Sequence, residues 1–226
     1  MATLRRVDDF AARLGHVRWL GGGSGAGKST IAARLAETHG LHVYGTDETL
    51  RRHVAGASPD RHPLAAAFVR MDMDERWLTR SPAEMVETFH GFHDELFALI
   101  VEDLLALSPK RPILAEGFRL LPRLVAPLLD APNGAGQAAW LLPTAAFRRA
   151  AFEARGADWH GAQRTSDPKR AMDNLLARDA LFTEQVAADT TTLGLQTIDV
   201  DGRLTVDALT RRVEAALGLG AGADRG

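Results

Sequence analysis

Short apolar runs alternate along this chain with longer segments whose apolar residues recur at helical spacing. Val17 to Leu20 reads as a buried strand, and Ser29 to Thr38 as a following helix with Ile31 and Leu35 on one face. Leu41 to Tyr44, Pro112 to Ala115, Gln137 to Leu142 and Leu195 to Val200 supply four further strands. An amphipathic segment from Leu4 to Leu14 precedes the first strand, and a short helix is predicted at Leu64 to Val69. Ser81-Pro82-Ala83-Glu84 combines an N-cap, a proline at the first helical position and an acidic first turn. A long helix is therefore predicted from there to about Leu107, with Met85, Phe89, Phe92, Leu96, Leu99 and Ile100 facing inward and Pro109 ending it. Leu120 to Leu129, Thr144 to Arg155, Pro168 to about Thr190 and Leu204 to Leu217 complete the helices. Strands alternating with helices along the whole chain predict a parallel sheet covered on both faces, a three-layer α/β domain.

The length of 226 residues suits one domain, read here as 1–217, with a Gly- and Ala-rich tail at 218–226 predicted to fray. The mixed-charge, turn-rich stretch at 56–82 reads as an inserted, mobile segment on the substrate side. A net charge of −2 argues against a broad basic surface for nucleic acid. The absence of cysteine excludes disulfides, thiol nucleophiles and thiolate zinc sites. Residues 1–10 carry Arg5, Arg6, Asp8 and Asp9 and do not resemble a secretory signal. The uncharged run from Ala131 to Phe147 is interrupted by Pro132, Gly134, Gly136 and Pro143, which does not suit a membrane span. The expectation is a cytoplasmic protein with neither nucleic-acid nor membrane partners.

Between the first strand and its helix lies Gly22-Gly23-Ser24-Gly25-Ala26-Gly27-Lys28-Ser29, which fits G-x-x-x-x-G-K-[ST] at every fixed position. Glycines let the backbone turn successive N–H groups toward phosphate oxygens, and the helix N-terminus adds partial positive charge. The predicted nucleotide-binding residues are Gly23, Ser24, Gly25, Ala26, Gly27, Lys28, Ser29 and Thr30, with Lys28 on the β- and γ-phosphates and the Ser29 hydroxyl on Mg²⁺. Gly21, Gly23 and Ala26 also fit the looser dinucleotide pattern G-x-G-x-x-[GA], with Asp47 at a suitable distance, but that pattern has no use for Lys28. Asp47 falls at the carboxyl end of the second strand, where ligands bind in open α/β sheets. It is read either as a group that orients or deprotonates an acceptor hydroxyl, or as the N-cap of the next helix.

A phosphate loop near the start, Asp47 after the second strand, Glu116-Gly117 after the third and an Arg-bearing helix before a polar interval together resemble small P-loop kinases. The nearest likenesses are the gluconate, shikimate and uridine kinase-like group and the chloramphenicol phosphotransferase or zeta-toxin-like enzymes. The resemblance implies a P-loop NTPase fold with a five-stranded parallel sheet in the order 2-3-1-4-5 and a mobile lid, here 156–168. It also implies ATP and Mg²⁺ as cofactors, and γ-phosphoryl transfer to a hydroxyl of a small molecule. A nucleoside or nucleotide kinase, and an NTP-dependent switch with a protein partner, stay open as alternatives, as do the acceptor's identity and the oligomeric state.

Several relatives end the second strand in Asp-x-Asp. Gly45-Thr46-Asp47 keeps only the later carboxylate, which suits the acceptor role and leaves the metal to Ser29 and Glu116. In such kinases lid arginines fold over ATP, which singles out Arg155 first and Arg149 second, against a reading of both as a solvated face paired with Glu153 and Asp158. Arg119 is a candidate for an acidic group on the acceptor, and Trp77 for stacking on an acceptor ring or covering the core. His90 and His93, at i and i+3 with no further ligands, are expected as surface or capping histidines.

Overall fold

The computed structural model describes residues 10–129, 136–155 and 161–220. Five strands form one sheet: β1 (Val17–Gly22), β2 (His42–Gly45), β3 (Ile113–Glu116), β4 (Ala138–Pro143) and β5 (Thr197–Val200). Every pairing is parallel and the order is β2-β3-β1-β4-β5, as the kinase resemblance implies. Glu116 is in register with both Leu20 and Gly45, so β2 and β3 end level with each other and β1 runs two residues further.

Strand residues alternate between two cores, because successive side chains of a strand point to opposite faces. Trp19, Ile113, Ala115 and Trp140 join one core, with Ile100 and Leu104 of α6 (Phe97–Ala106) and Phe182 and Val186 of α9 (Pro168–Leu193). Leu20, Leu114, Leu141 and Ile198 join the other, with Ile31 and Leu35 of α1 (Lys28–His39) and Leu209 and Val213 of α10 (Val206–Ala216). Trp19 and Trp140 are both fully buried. Helices therefore cover both faces. The remaining helices are α2 (Thr46–Ala55), α3 (Pro63–Arg70), α4 (Met73–Trp77), α5 (Pro82–Thr88), α7 (Pro122–Val125) and α8 (Ala145–Ala154).

The single helix predicted from Pro82 to Leu107 is instead α5 and α6, separated by a 3₁₀ turn at His90–Phe92. Ser81 and Glu84 form the expected capping box. Phe89 is extended, and Gly91 lies so close to Phe118 that a Cβ would sit 2.7 Å from its ring, so packing of this aromatic corner overrides helix continuation. The helix predicted at Leu120 to Leu129 shortens to α7 and a 3₁₀ turn, since Pro127 offers no N–H to continue it. α9 runs beyond Thr190 and closes on Gly194 in the left-handed conformation.

Residues 10–14 are helical, and the rest of the predicted opening segment lies outside the described residues. In the expected tail, Leu219 packs on the second core, while 221–226 lie outside the described residues. In the expected lid, 156–160 lie outside them too; beyond, Gly161–Arg164 forms a 3₁₀ turn with Ala162 fully buried. Ser166 donates through its N–H (2.7 Å) and hydroxyl to Asp74 in α4, which joins this segment to the 56–82 stretch. Among the described residues no helix is long and apolar enough to cross a membrane.

Candidate active site

The phosphate loop leaves β1 through Gly22 at φ 119°, where a Cβ would come within 2.1 Å of the Leu141 carbonyl oxygen. Only glycine serves there. The Gly23 N–H continues the sheet by donating to Leu141 O at 3.0 Å, so that group is spent on β4. Gly27, left-handed, is the N-cap of α1, and no side chain caps the helix. Its first N–H groups thus form an anion-binding end. Lys28 is buried and its Nζ donates to the carbonyls of Gly22 (3.1 Å) and Gly23 (2.8 Å). Burial pushes the ammonium below its ordinary range, with Asp47 and Glu116 pulling it back up. Arg148, almost fully buried, braces the loop: its Nε donates to Ser24 O at 3.3 Å and its Nη2 to the Thr183 hydroxyl.

The Ser29 hydroxyl donates to Glu116 Oε1 at 3.0 Å. Burial raises the Glu116 carboxyl, while Lys28 and the Ser29 bond lower it and Asp47 and Glu48 raise it further. A hydroxyl beside a carboxylate is the hard-oxygen pair that Mg²⁺ takes, so the donor set fits that ion. Gly117, at φ 143°, packs where a Cβ would lie 1.8 Å from Thr46 Oγ1, which brings the start of α2 against the end of β3. Gly45 is the N-cap of α2 and makes no side-chain cap, so Asp47, two residues on, is not a cap. Asp47 is exposed and lines the cleft. Burial raises its carboxyl, opposed chiefly by Lys28 and Arg119.

Lys28, Ser29 and Asp47 line a cavity of about 280 Å³. It is lined by Ser24, Gly25, Ala26, Gly27, Lys28 and Ser29 of the loop, by Asp47 and Arg155, and by Trp77, Phe89, Phe92, Phe118, Leu175, Arg178 and Asp179. Of the residues predicted from sequence, Gly23, Thr30, Glu116, Arg119 and Arg149 do not line it. Thr30 borders a neighbouring cavity of about 160 Å³ with Ala26, Gly27, Phe147 and Leu204. Of the partners named for Arg149 in the alternative reading, Asp158 lies outside the described residues; Arg149 pairs with Asp173 at 3.5 Å on the exposed side of α8. The reason is helical phase: Arg148, Phe152 and Arg155 recur at i, i+4 and i+7 and face the loop, and Arg149 is turned away. Arg155 also bears electrostatically on Lys28 and Asp47.

Arg119 is a buried brace instead of an acceptor clamp. Its Nη1 donates to Thr46 O at 3.0 Å and its Nη2 to His53 Nδ1 at 3.1 Å. Because a guanidinium only donates, His53 carries its proton on Nε2, which donates to Asp103 Oδ2 at 2.9 Å. Tyr44 donates to the same oxygen at 2.6 Å. Burial brings Arg119 down to about 10; burial also works against Asp103, but bonds from Arg52, Tyr44 and His53 hold it at about 2. This network fixes the carbonyl of the residue before Asp47. His90 departs from expectation: it is buried, with neither ring nitrogen hydrogen-bonded among the described residues. Trp159 and His160 lie outside those residues.

The sequence reading missed Arg178 and Asp179. Both are buried on α9, with Arg178 Nε and Nη2 donating to Asp179 Oδ1 at 2.8 and 2.6 Å. They occupy the helix stripe that also carries Leu175, Phe182 and Val186, and a charged pair within an apolar stripe was the available signal.

No family model matches the chain, and no curated protein matches it by sequence. Among solved structures, an uncharacterized protein from Eubacterium ventriosum is 18% identical, with 89% of this chain and 97% of that chain covered and a TM-score of 0.45. A gluconokinase from Sinorhizobium meliloti is also 18% identical, with 92% and 93% covered and a TM-score of 0.43.

Proposed function

We propose that this protein is an ATP-dependent phosphotransferase that moves the γ-phosphoryl group to a hydroxyl of a small molecule. The observation that carries the proposal is the convergence of Lys28, Asp47 and Arg155 on one cavity, with the α1 N-terminus on its floor and the Ser29–Glu116 pair beside it. The loop N–H groups receive the phosphates, and Lys28 exchanges its two loop carbonyls for β- and γ-oxygens. Ser29 and Glu116 hold Mg²⁺, directly or through water, and the ion when bound neutralises phosphate charge. The cavity beside Thr30 and Phe147 receives the base, since it shares Ala26 and Gly27 with the loop.

Asp47 accepts the hydrogen bond of the acceptor hydroxyl, holds its oxygen in line with the γ-phosphorus and takes the proton as the new P–O bond forms. Its raised carboxyl makes it a better base than a free aspartate, because the proton it accepts is held more firmly. Arg155 stabilises charge on the transferring group.

The test is mass-spectrometric detection of an added phosphoryl group across a library of hydroxylic metabolites with ATP and Mg²⁺. Lys28→Ala, checked for folding by circular dichroism, should abolish any product. Turnover unchanged by Lys28→Ala would refute the phosphate-loop role.

A further inference from the structure

We propose that Arg148 is a positioning residue for the triphosphate: it holds the Ser24–Gly25 peptide so that the Gly25 N–H faces the phosphates, and α9 secures that hold through Thr183. The inference rests on the nucleotide-binding reading of the loop and adds to it a residue that does not touch the nucleotide. Arg148 is 2% exposed and is not among the residues lining the cavity, whereas Ser24 and Gly25 are. Its Nε donates to the Ser24 carbonyl at 3.3 Å. In a planar trans peptide the C=O and the N–H point in opposite directions, so turning this carbonyl to Arg148 turns the Gly25 N–H away from it. That N–H has no acceptor among the described residues, while the Gly23 N–H is already bonded to Leu141 O. The stem of Arg148 meets the same peptide from its other end: Gly25 is at φ 78°, and a Cβ there would lie 3.4 Å from Arg148 Cγ and 3.1 Å from Phe152 Cε1.

The guanidinium is tied to the scaffold as well as to the loop. Nη2 donates to the Thr183 hydroxyl of α9 and to Pro143 O, at the end of β4, at 3.4 Å. Thr183 in turn donates to Asp179 O at 2.8 Å, and its Oγ1 lies where a Cβ on Gly23 would come within 2.6 Å. Gly23, Ser24 and Gly25 are therefore each met by Arg148 or Thr183. Glycine loses more freedom on ordering than any other residue, so a glycine-rich loop left unheld would lose much of its binding free energy to its own ordering. A brace already in place before the nucleotide arrives removes that loss. Burying a guanidinium is costly unless its donors are used, and here they are used on the loop and on the two elements behind it.

The test is calorimetric titration of the intact wild type, Arg148→Met and Arg148→Lys with a non-hydrolysable ATP analogue and Mg²⁺, with urea unfolding to measure stability and amide NMR to follow Gly25. Arg148→Met should bind the analogue about tenfold or more weakly, the scale of one charge-assisted hydrogen bond. The analogue should move the Gly25 amide resonance in the wild type and much less in Arg148→Met. A residue that only stabilised the fold would lower the urea midpoint and leave both the affinity of the folded protein and the Gly25 shift unchanged, and that result overturns the inference. Full recovery of affinity in Arg148→Lys, which keeps the charge without the planar fork, overturns it too. If Arg148→Met does not fold, Thr183→Val removes the anchoring hydroxyl and leaves Arg148 in place; it should weaken the analogue in the same direction, and wild-type affinity there refutes the proposal. A wild type that binds no analogue would strike the nucleotide reading and this inference with it, whereas equal binding by wild type and variants strikes this inference alone.

Discussion

His90 should make the fold lose stability in mild acid, by an amount that can be worked out. The imidazole is 2% exposed and lies 5.0 Å from the Phe68 ring and 4.7 Å from the Phe89 ring, with neither nitrogen hydrogen-bonded among the described residues. Burial, reinforced by the charges of Arg119, Arg76 and His93, lowers it from 6.5 to about 4. A histidine depressed on folding binds fewer protons folded than unfolded, so its contribution is whole above pH 6.5 and is lost as pH falls toward 4. At about 1.4 kcal/mol per pH unit the full loss is about 3 kcal/mol, most of it between pH 7.5 and 4.5.

Urea unfolding of the wild type and His90→Phe at those two pH values isolates this part, because the carboxylates titrate in both proteins. The variant should lose about 2 to 3 kcal/mol less than the wild type on acidification. At pH 7.5 it should be as stable or more so, since it removes a buried N–H without a partner. His90→Leu guards against overpacking by the larger ring. Parallel pH dependence in wild type and both variants would refute the assignment.

Asp47→Asn should lower phosphoryl transfer roughly 10²- to 10⁴-fold with ATP affinity nearly unchanged, and wild-type turnover would make Glu48 or Glu116 the next candidate. Arg155→Ala should reduce turnover by about 10³-fold or more, whereas Arg149→Ala, which removes an exposed pair with Asp173, should leave it near wild type. Steady-state kinetics of the two variants side by side would reveal a reversed ranking. Asp74→Ala removes both bonds to Ser166 and should speed amide exchange across 161–168 without ligand, and bound ATP and acceptor should slow it in the wild type. Exchange unaffected by either change would mean that this segment does not gate the cavity.

The sheet was legible because its signals are local. Runs of four to six apolar residues bounded by turns give strands, and the loop motif fixes which strand is first at the site. Strand order was not legible from periodicity and came only with the kinase resemblance. The broken helix at 82–107 was hidden for a physical reason: Phe89, Phe92 and Ile100 keep a helical spacing, yet Phe89 and Phe92 pack against Phe118 and Phe182 in a corner that a straight helix cannot reach. Tertiary packing decides such a position, and propensity does not.

At the site, the phosphate-loop residues lie in contiguous sequence and were readable, while Asp47, Trp77, Phe89, Phe118 and Arg178 reach the same cavity from five separated stretches, and of these only Asp47 and Trp77 were read as site residues. Arg119 shows why type and position mislead. It leaves the end of β3 like a ligand-binding arginine, but Thr46 O, His53 and Leu96 O occupy its donors, and its hydrogen bonds reach no nearer to Asp47 than the carbonyl before it. Arg178 shows the converse. A charged pair in the middle of a 26-residue helix looks solvated until its phase is set beside Leu175 and Phe182. Burying a guanidinium is costly unless every donor is used, and Asp179 satisfies two of them. The rings of Trp77, Phe89 and Phe92 pack 5.1 to 5.2 Å from the guanidinium carbon as well, so the place of the pair is set by helix phase and aromatic packing, and not by the identity of either residue.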